Sequence, residues 1–164
     1  MSVLNQGGAF TRGLLGTAVR RPTATLPQTA TGTLFTVAGG RVLVTAIVGE
    51  VTTILGAVGN LNLVHDPDGA GAVGDVCAAT ACGTDAVGTL YSITGVAADL
   101  LGAQKVTGTE VPTHVFTSVF AGAAKGLVLP AGALGLKTSA SSTGSIKWDL
   151  FYVPIDEGAS VVAA

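Results

Sequence analysis

The sequence predicts an all-β protein: an antiparallel β-sandwich, jelly-roll-like, forming a single domain with an extended N-terminal arm. Three observations lead there. The most apolar stretch, "RVLVTAIVGEVTTILGAVG" (41–59), is crowded with β-branched residues, which are stiff at χ1 and suit a pleated surface better than a helix. Several other runs alternate apolar and polar residues along the chain. Roughly eight such short runs are separated by Gly, Pro, Asn and Asp, and none carries three turns of helical periodicity.

Residues 1–32 show neither periodicity. Pro22, Pro27 and the threonines around them favour extended backbone, so this segment reads as the arm and residues 33–164 as the sandwich domain. "GTLFTV" (32–37) is a short strand, and "AGG" (38–40) turns the chain. The stretch that follows reads as two buried strands, about 41–48 and 51–55, broken by a kink or bulge at Gly49 and Glu50. It is not a membrane span. Arg41 opens it and Glu50 sits in its middle, where an acidic group costs about 2.5–3.5 kcal/mol.

"NLNLVHD" (60–66) alternates, with Leu61, Leu63 and His65 on one face and Asn60, Asn62 and Val64 on the other. "DPDG" (66–69) fits a type I turn, and a glycine-rich loop runs on to about residue 88, with a short strand around 73–78. "GTLYSIT" (88–94) is another strand, and 95–105 has room for one helical turn. In "EVPTHVFTSVF" (110–120), valines and threonines face one way and His114, Phe116 and Phe120 the other. "GLVLPAGALGLKT" (126–138) provides one or two strands. "IKWDLFYV" (146–153) sets Ile146, Trp148, Leu150 and Tyr152 against Lys147, Asp149, Phe151 and Val153.

The chain, 164 residues, can bury one core without staples. With eight aromatic residues, that core has to be aliphatic. Only 11% of residues are charged, too few to cover the outside, which points to an assembly component whose surface is covered by other subunits. The charges are also uneven. Residues 1–49 carry Arg12, Arg20, Arg21 and Arg41 and no acid, whereas the remainder carries four lysines against ten acids. An arginine-bearing arm ahead of an acidic body suits docking on a negative surface; a solvated arm is the alternative. Nothing at the N terminus resembles a signal peptide, so the chain is expected to stay in a cytosol until released by another route.

The sequence does not point to catalysis. "GAGAVG" places Gly69, Gly71 and Gly74 in a G-x-G-x-x-G spacing, but a proline turn precedes it and no helix pattern follows to receive a pyrophosphate. Cys77 and Cys82, with His65 and His114, form zinc ligands only if three separate segments converge. Cys77 and Cys82 can pair as a disulfide in an oxidising compartment; two small buried thiols are the preferred reading. Asp66, Asp68, Asp75 and Asp85 crowd one region without the terminal bidentate Glu of a calcium loop. His65 and His114 have no nucleophile in a recognisable motif, and no basic stripe is interleaved with aromatics for nucleic acid. Trp148, Phe151 and Tyr152 occupy both faces of one strand, so one face packs the core and the other needs cover.

Three stretches, "TGTLFTVAGGRVLVTAIVGEVTT" (31–53), "GTLYSITGVAADLL" (88–101) and "STGSIKWDLFYVPIDEGASVVAA" (142–164), resemble small β-rich virion proteins of tailed bacteriophages, and within that group capsid decoration (head-outer) proteins. The resemblance implies a sandwich subunit, usually a homotrimer, on the outside of the phage head. There it would clamp the major capsid protein against the pressure of packaged DNA, after synthesis in the host cytoplasm. It implies no enzyme activity and no required cofactor; neither nucleic acid nor a membrane is expected as a partner. No functional residue carries over by motif. From the residues themselves, Arg12, Arg20 and Arg21 are assigned to capsid contact, and Trp148, Phe151 and Tyr152 to the core and trimer contact. A tail- or fibre-associated β protein is the alternative within virions. In another class stands a cupin-like small-molecule-binding barrel, whose usual histidine cluster beside a carboxylate is not evident here.

Overall fold

A computed structural model describes residues 16–56, 59–69, 71–92 and 127–164. In chain order its strands are β1 (Thr17–Thr25), β2 (Thr31–Ala38), β3 (Val42–Thr53), β4 (Asn60–Pro67), β5 (Gly74–Asp75), β6 (Thr80–Ala81), β7 (Leu90–Ser92), β8 (Leu127–Leu129), β9 (Gly132–Thr138), β10 (Ser145–Pro154) and β11 (Ser160–Ala163). They form two antiparallel sheets packed as a β-sandwich, and no helix occurs among the described residues. Sheet A runs β1-β10-β3-β7, with β8 also pairing with β3. Sheet B runs β11-β2-β9-β4-β5, with β6 also on β4. Of the long strands, β1, β3 and β10 belong to one sheet and β2, β4, β9 and β11 to the other, β4 and β9 being direct neighbours in theirs.

The core lies between the sheets and is mostly aliphatic, as the composition requires. Leu34, Phe35, Ile47, Leu63, Leu134, Leu136, Ile146 and Leu150 are all buried in it. Along β10 the alternation holds: Ile146, Trp148, Leu150 and Tyr152 are buried, while Lys147, Asp149 and Phe151 stand half-buried on the outer face.

One expectation fails at the most apolar stretch. Residues 42–53 form a single strand, with no break at Gly49 and Glu50. Gly49 lies directly across from Trp148. A Cβ built there would come within 2.6 Å of the indole ring, so the missing side chain is the space that the ring fills. The bulges fall elsewhere on β3. Thr45 and Thr52 are the extra residues between consecutive partners of β10, and each hydroxyl donates to a β10 carbonyl, Phe151 and Ser145 respectively, at 3.2 Å.

The N-terminal boundary also moves. Thr17–Thr25, expected to belong to the arm of residues 1–32, is a strand of sheet A, paired with β10 from Tyr152 back to Ser145. The sandwich thus includes β1 and does not begin at residue 33. A register shift between Arg21 and Ala24, where Pro22 withholds an N–H, scrambles the inward–outward alternation that would have marked the strand. β11 was also missed; four residues are too few to show a period. The strand expected at 110–120 and the helical turn expected at 95–105 lie outside the described residues.

A glycine inside a strand ordinarily weakens it, so Gly→Ala would ordinarily stabilise. At Gly49 the opposite sign is expected. Gly49→Ala should destabilise by about 1–3 kcal/mol, the usual cost of overpacking, read as a lower urea midpoint with an unchanged slope.

Candidate functional site

The sequence-derived candidates do not converge on one point. Arg12 lies outside the described residues. Arg20 and Arg21 are neighbours on β1 and therefore point to opposite sides of sheet A. Arg20 reaches Asp149 across the outer face at 3.3 Å. Arg21 instead sits at the seam between the sheets, where its Nε donates to the Ala164 carbonyl oxygen at 3.2 Å. Each guanidinium thus holds a partner within its own chain. Arg41 is a third such tie: it meets Asp156 through its backbone N–H, Nε and Nη2 at 2.8–3.0 Å. That bidentate pair raises the pKa of Arg41 and holds the Asp156 carboxyl down at about 2.

The aromatic trio divides by face. Trp148 and Tyr152 are in the core, while Phe151 projects outward between Ala18 of β1 and Ala46 of β3. Next to that row, Val153 pairs with Leu43, and Leu43 with Val128 of β8. Val128 and Val153 are 51% and 40% exposed. This half of the outer face of sheet A is apolar. The other half is charged, with Lys147 Nζ 2.7 Å from Glu50 and the Arg20–Asp149 pair beside it.

The glycine-rich loop resolves into a broken edge strand along β4. β5 and β6 pair with β4, and between them the Val76 N–H donates to the Leu63 carbonyl. Cys77 and Cys82 are buried thiols not joined in a disulfide. The Leu63 N–H donates to Cys77 Sγ at 3.1 Å and the Cys82 thiol donates to the Gly59 carbonyl at 3.2 Å, so the two sulfurs serve separate stretches of backbone. The four aspartates also separate. Asp75 accepts from Asn62 Nδ2 at 2.8 Å, Asp85 is buried, and Asp66 and Asp68 are exposed. No group of three or more His, Cys, Asp or Glu among the described residues is placed to hold a metal ion. Gly74 opens β5, and not the helix that a dinucleotide fingerprint needs. No helix among the described residues is long and apolar enough to cross a membrane.

Two buried polar groups have surroundings that the sequence did not reveal. Tyr91 Oη donates to Asp85 Oδ2 at 2.5 Å, both residues being almost completely buried. Burial, together with this hydrogen bond to Asp85, pushes the Tyr91 phenol far above its ordinary pKa, so it stays a donor. Asp85 also anchors the loop to the segment that follows β3, since its carbonyl accepts from the Leu55 N–H. Nothing in the local pattern "GTDAVGTLY" distinguished this aspartate from a turn residue. His65 is the second case. It lies on the inner face of β4, as its alternation indicated, and its Nε2 has no hydrogen-bond partner among the described residues. Burial lowers its pKa against the opposing pull of a hydrogen bond to the Pro130 carbonyl and of Asp66 and Asp68. His114, its companion in the sequence reading, lies outside the described residues.

No protein family, curated protein or solved structure matches the chain.

Two measurements test these placements. Tyr91→Phe removes the donor to a buried carboxylate and should cost about 1–3 kcal/mol in urea denaturation, whereas an exposed tyrosine would lose almost nothing. For His65, the unfolded chain takes up its proton before the folded one does. Stability is therefore complete above a pH of about 6.5 and declines as pH falls below it. His65→Leu should flatten that part of the stability–pH curve, read from urea midpoints at about pH 5 and about pH 8.

Proposed function

We propose that the protein is a structural virion protein of a tailed bacteriophage: a capsid decoration protein that binds the outer surface of the head as a homotrimer and stabilises the shell, without enzymatic activity. The observation that carries the reading is the apolar half of the outer face of sheet A. Phe151, Val153, Leu43 and Val128 form adjoining rows on a solvent-facing sheet surface. A protein with few charges that leaves such rows open gains stability by covering them with another subunit. The charged half, with Arg20, Asp149, Lys147 and Glu50, supplies a polar rim beside them.

The family resemblance adds weight because of where its residues fall. The stretches 31–53 and 142–164 contain β2, β3, β10 and β11, which pair as β3–β10 and β2–β11. The likeness thus covers sheet neighbours in both layers and not a scatter of loops. Capsid contact is proposed for the arginine-bearing N-terminal side, with Arg20 at the rim of the apolar rows.

The purified protein is expected to be trimeric by light scattering and to co-sediment with empty phage heads. A monomer that ignores heads would defeat the proposal, and binding to tails alone would move it to the tail. Phe151→Asp should dissociate the trimer, lowering the scattering mass threefold, while circular dichroism keeps its β signature; an unaltered mass would remove Phe151 from the contact.

A further inference from the structure

The outer face of sheet B carries a group of side chains that neither the core nor the proposed subunit contact uses. Asn62 lies within β4 and alternates with Leu61 and Leu63 of the core, so it belongs to the outer face. Asparagine is a poor strand former, yet here it occupies an interior strand of the sheet and is only 7% exposed. Its direct partner across the β4–β9 ladder is Lys137, and residues so paired hold their Cβ atoms about 4.5–5.5 Å apart. Asp75 completes the group from β5, on the opposite side of β4. Its Oδ1 accepts from Asn62 Nδ2 at 2.8 Å and stands 4.0 Å from Lys137 Nζ. Because β4 lies between β9 and β5, Lys137 reaches Asp75 by crossing over the strand that carries Asn62.

These are the parts that amide exchange requires: an amine nucleophile, an acyl carbon, and a proton carrier set between the two nitrogens. Lys137 Nζ has to lose protons to become part of an amide, and Asn62 Nδ2 has to gain them to leave. Asp75 Oδ1 faces both atoms. An ordinary ion pair does not account for the arrangement. The Lys137 and Asp75 side chains are 55% and 62% exposed, and a pair so exposed contributes little to stability. Nor does an ion pair call for a shielded amide between its members. Acyl transfer does, because shielding keeps water from competing for Asn62 Cγ.

We propose that Lys137 and Asn62 join in an intramolecular isopeptide bond, with Asp75 as the proton relay. Lys137 Nζ bonds to Asn62 Cγ and the Cγ–Nδ2 bond breaks. The two protons that Nζ gives up pass by way of Asp75 to Nδ2, which departs as ammonium. The lysine enters as an ammonium, so charge and protons balance and no oxidant takes part. Holding amine and amide side by side on neighbouring strands replaces a bimolecular encounter, the largest entropic obstacle to such a reaction. The product ties β4 to β9 within sheet B and closes the long stretch of chain between Asn62 and Lys137. Unlike a disulfide between Cys77 and Cys82, this staple forms equally well in a reducing compartment. The proposal stands on these three side chains and does not require the virion reading.

Intact-mass spectrometry of the purified full-length protein reads the bond directly. After incubation at alkaline pH, which supplies the neutral amine, the parent protein is expected to be lighter than its sequence by one ammonia. Its tryptic digest should contain one branched peptide that carries both Asn62 and Lys137, with no cleavage after Lys137. Lys137→Arg, which keeps the charge on an exposed side chain, should retain the full mass. Asp75→Asn should lose ammonia at least about a hundredfold more slowly, the low end of what a positioned proton carrier contributes. A parent protein of full mass overturns the proposal. So does an ammonia loss that persists in Lys137→Arg, because an asparagine also loses ammonia by closing on its own backbone. Asp75→Asn linking at the parent rate overturns the relay.

Discussion

The antiparallel ladder between β3 and β10 is the constraint on which the rest of the molecule depends. It is the central pair of sheet A, running from Ser145 opposite Thr53 to Pro154 opposite Val42. On its inner face the indole of Trp148 lies over the bare backbone of Gly49, and Tyr91 pairs with that same glycine from the other side. A large flat ring gains the most from burial where the opposite strand offers no side chain to displace it. The other strands of the sheet depend on this pair: β1 adds to the free edge of β10, and β7 and β8 add to the far edge of β3. The two threonine bulges, each tied to a β10 carbonyl, bend the ladder without leaving the hydroxyls unpaired.

The topology makes that ladder expensive to form. Most of the long strands pair with strands distant in the chain; β2 lies beside β9 and β11, and β10 beside β1 and β3. Loop-closure entropy must be overcome before such pairings are rewarded, which places the fold among the slower-forming topologies. The polar ties inside the sandwich have a matching role. The buried Asp85–Tyr91 pair and the two thiols fasten the loop that follows β4, and the Arg41–Asp156 pair fastens the turn before β11.

The surface is as economical with charge as the core is with aromatics. Half of the outer face of sheet A carries cross-strand ion pairs, and the other half carries aliphatic rows around Phe151. Several buried polar residues hold the loops, His65 Nε2 has no hydrogen-bond partner among the described residues, and no group of three or more His, Cys, Asp or Glu there is placed to hold a metal ion.

Composition and period alone determined that this chain is an all-β sandwich with an aliphatic core, and that Trp148 and Tyr152 share one face of their strand while Phe151 lies on the other. They also placed His65 on one face of β4 with Leu61 and Leu63; which face is inward came from the structure. Those statements concern which side of a strand a residue occupies, and period-two alternation encodes that directly. What only the tertiary structure decided was which strands meet. Gly49 reads as a break until Trp148, a distant residue in sequence, is seen across from it. Arg20 and Arg21 read as one basic cluster until β1 turns them to opposite sides, and Asp85 reads as a turn acid until Tyr91 meets it inside the core. Pairing is a relation between distant segments, set by how two sheets fill one volume, and no single stretch of sequence carries it.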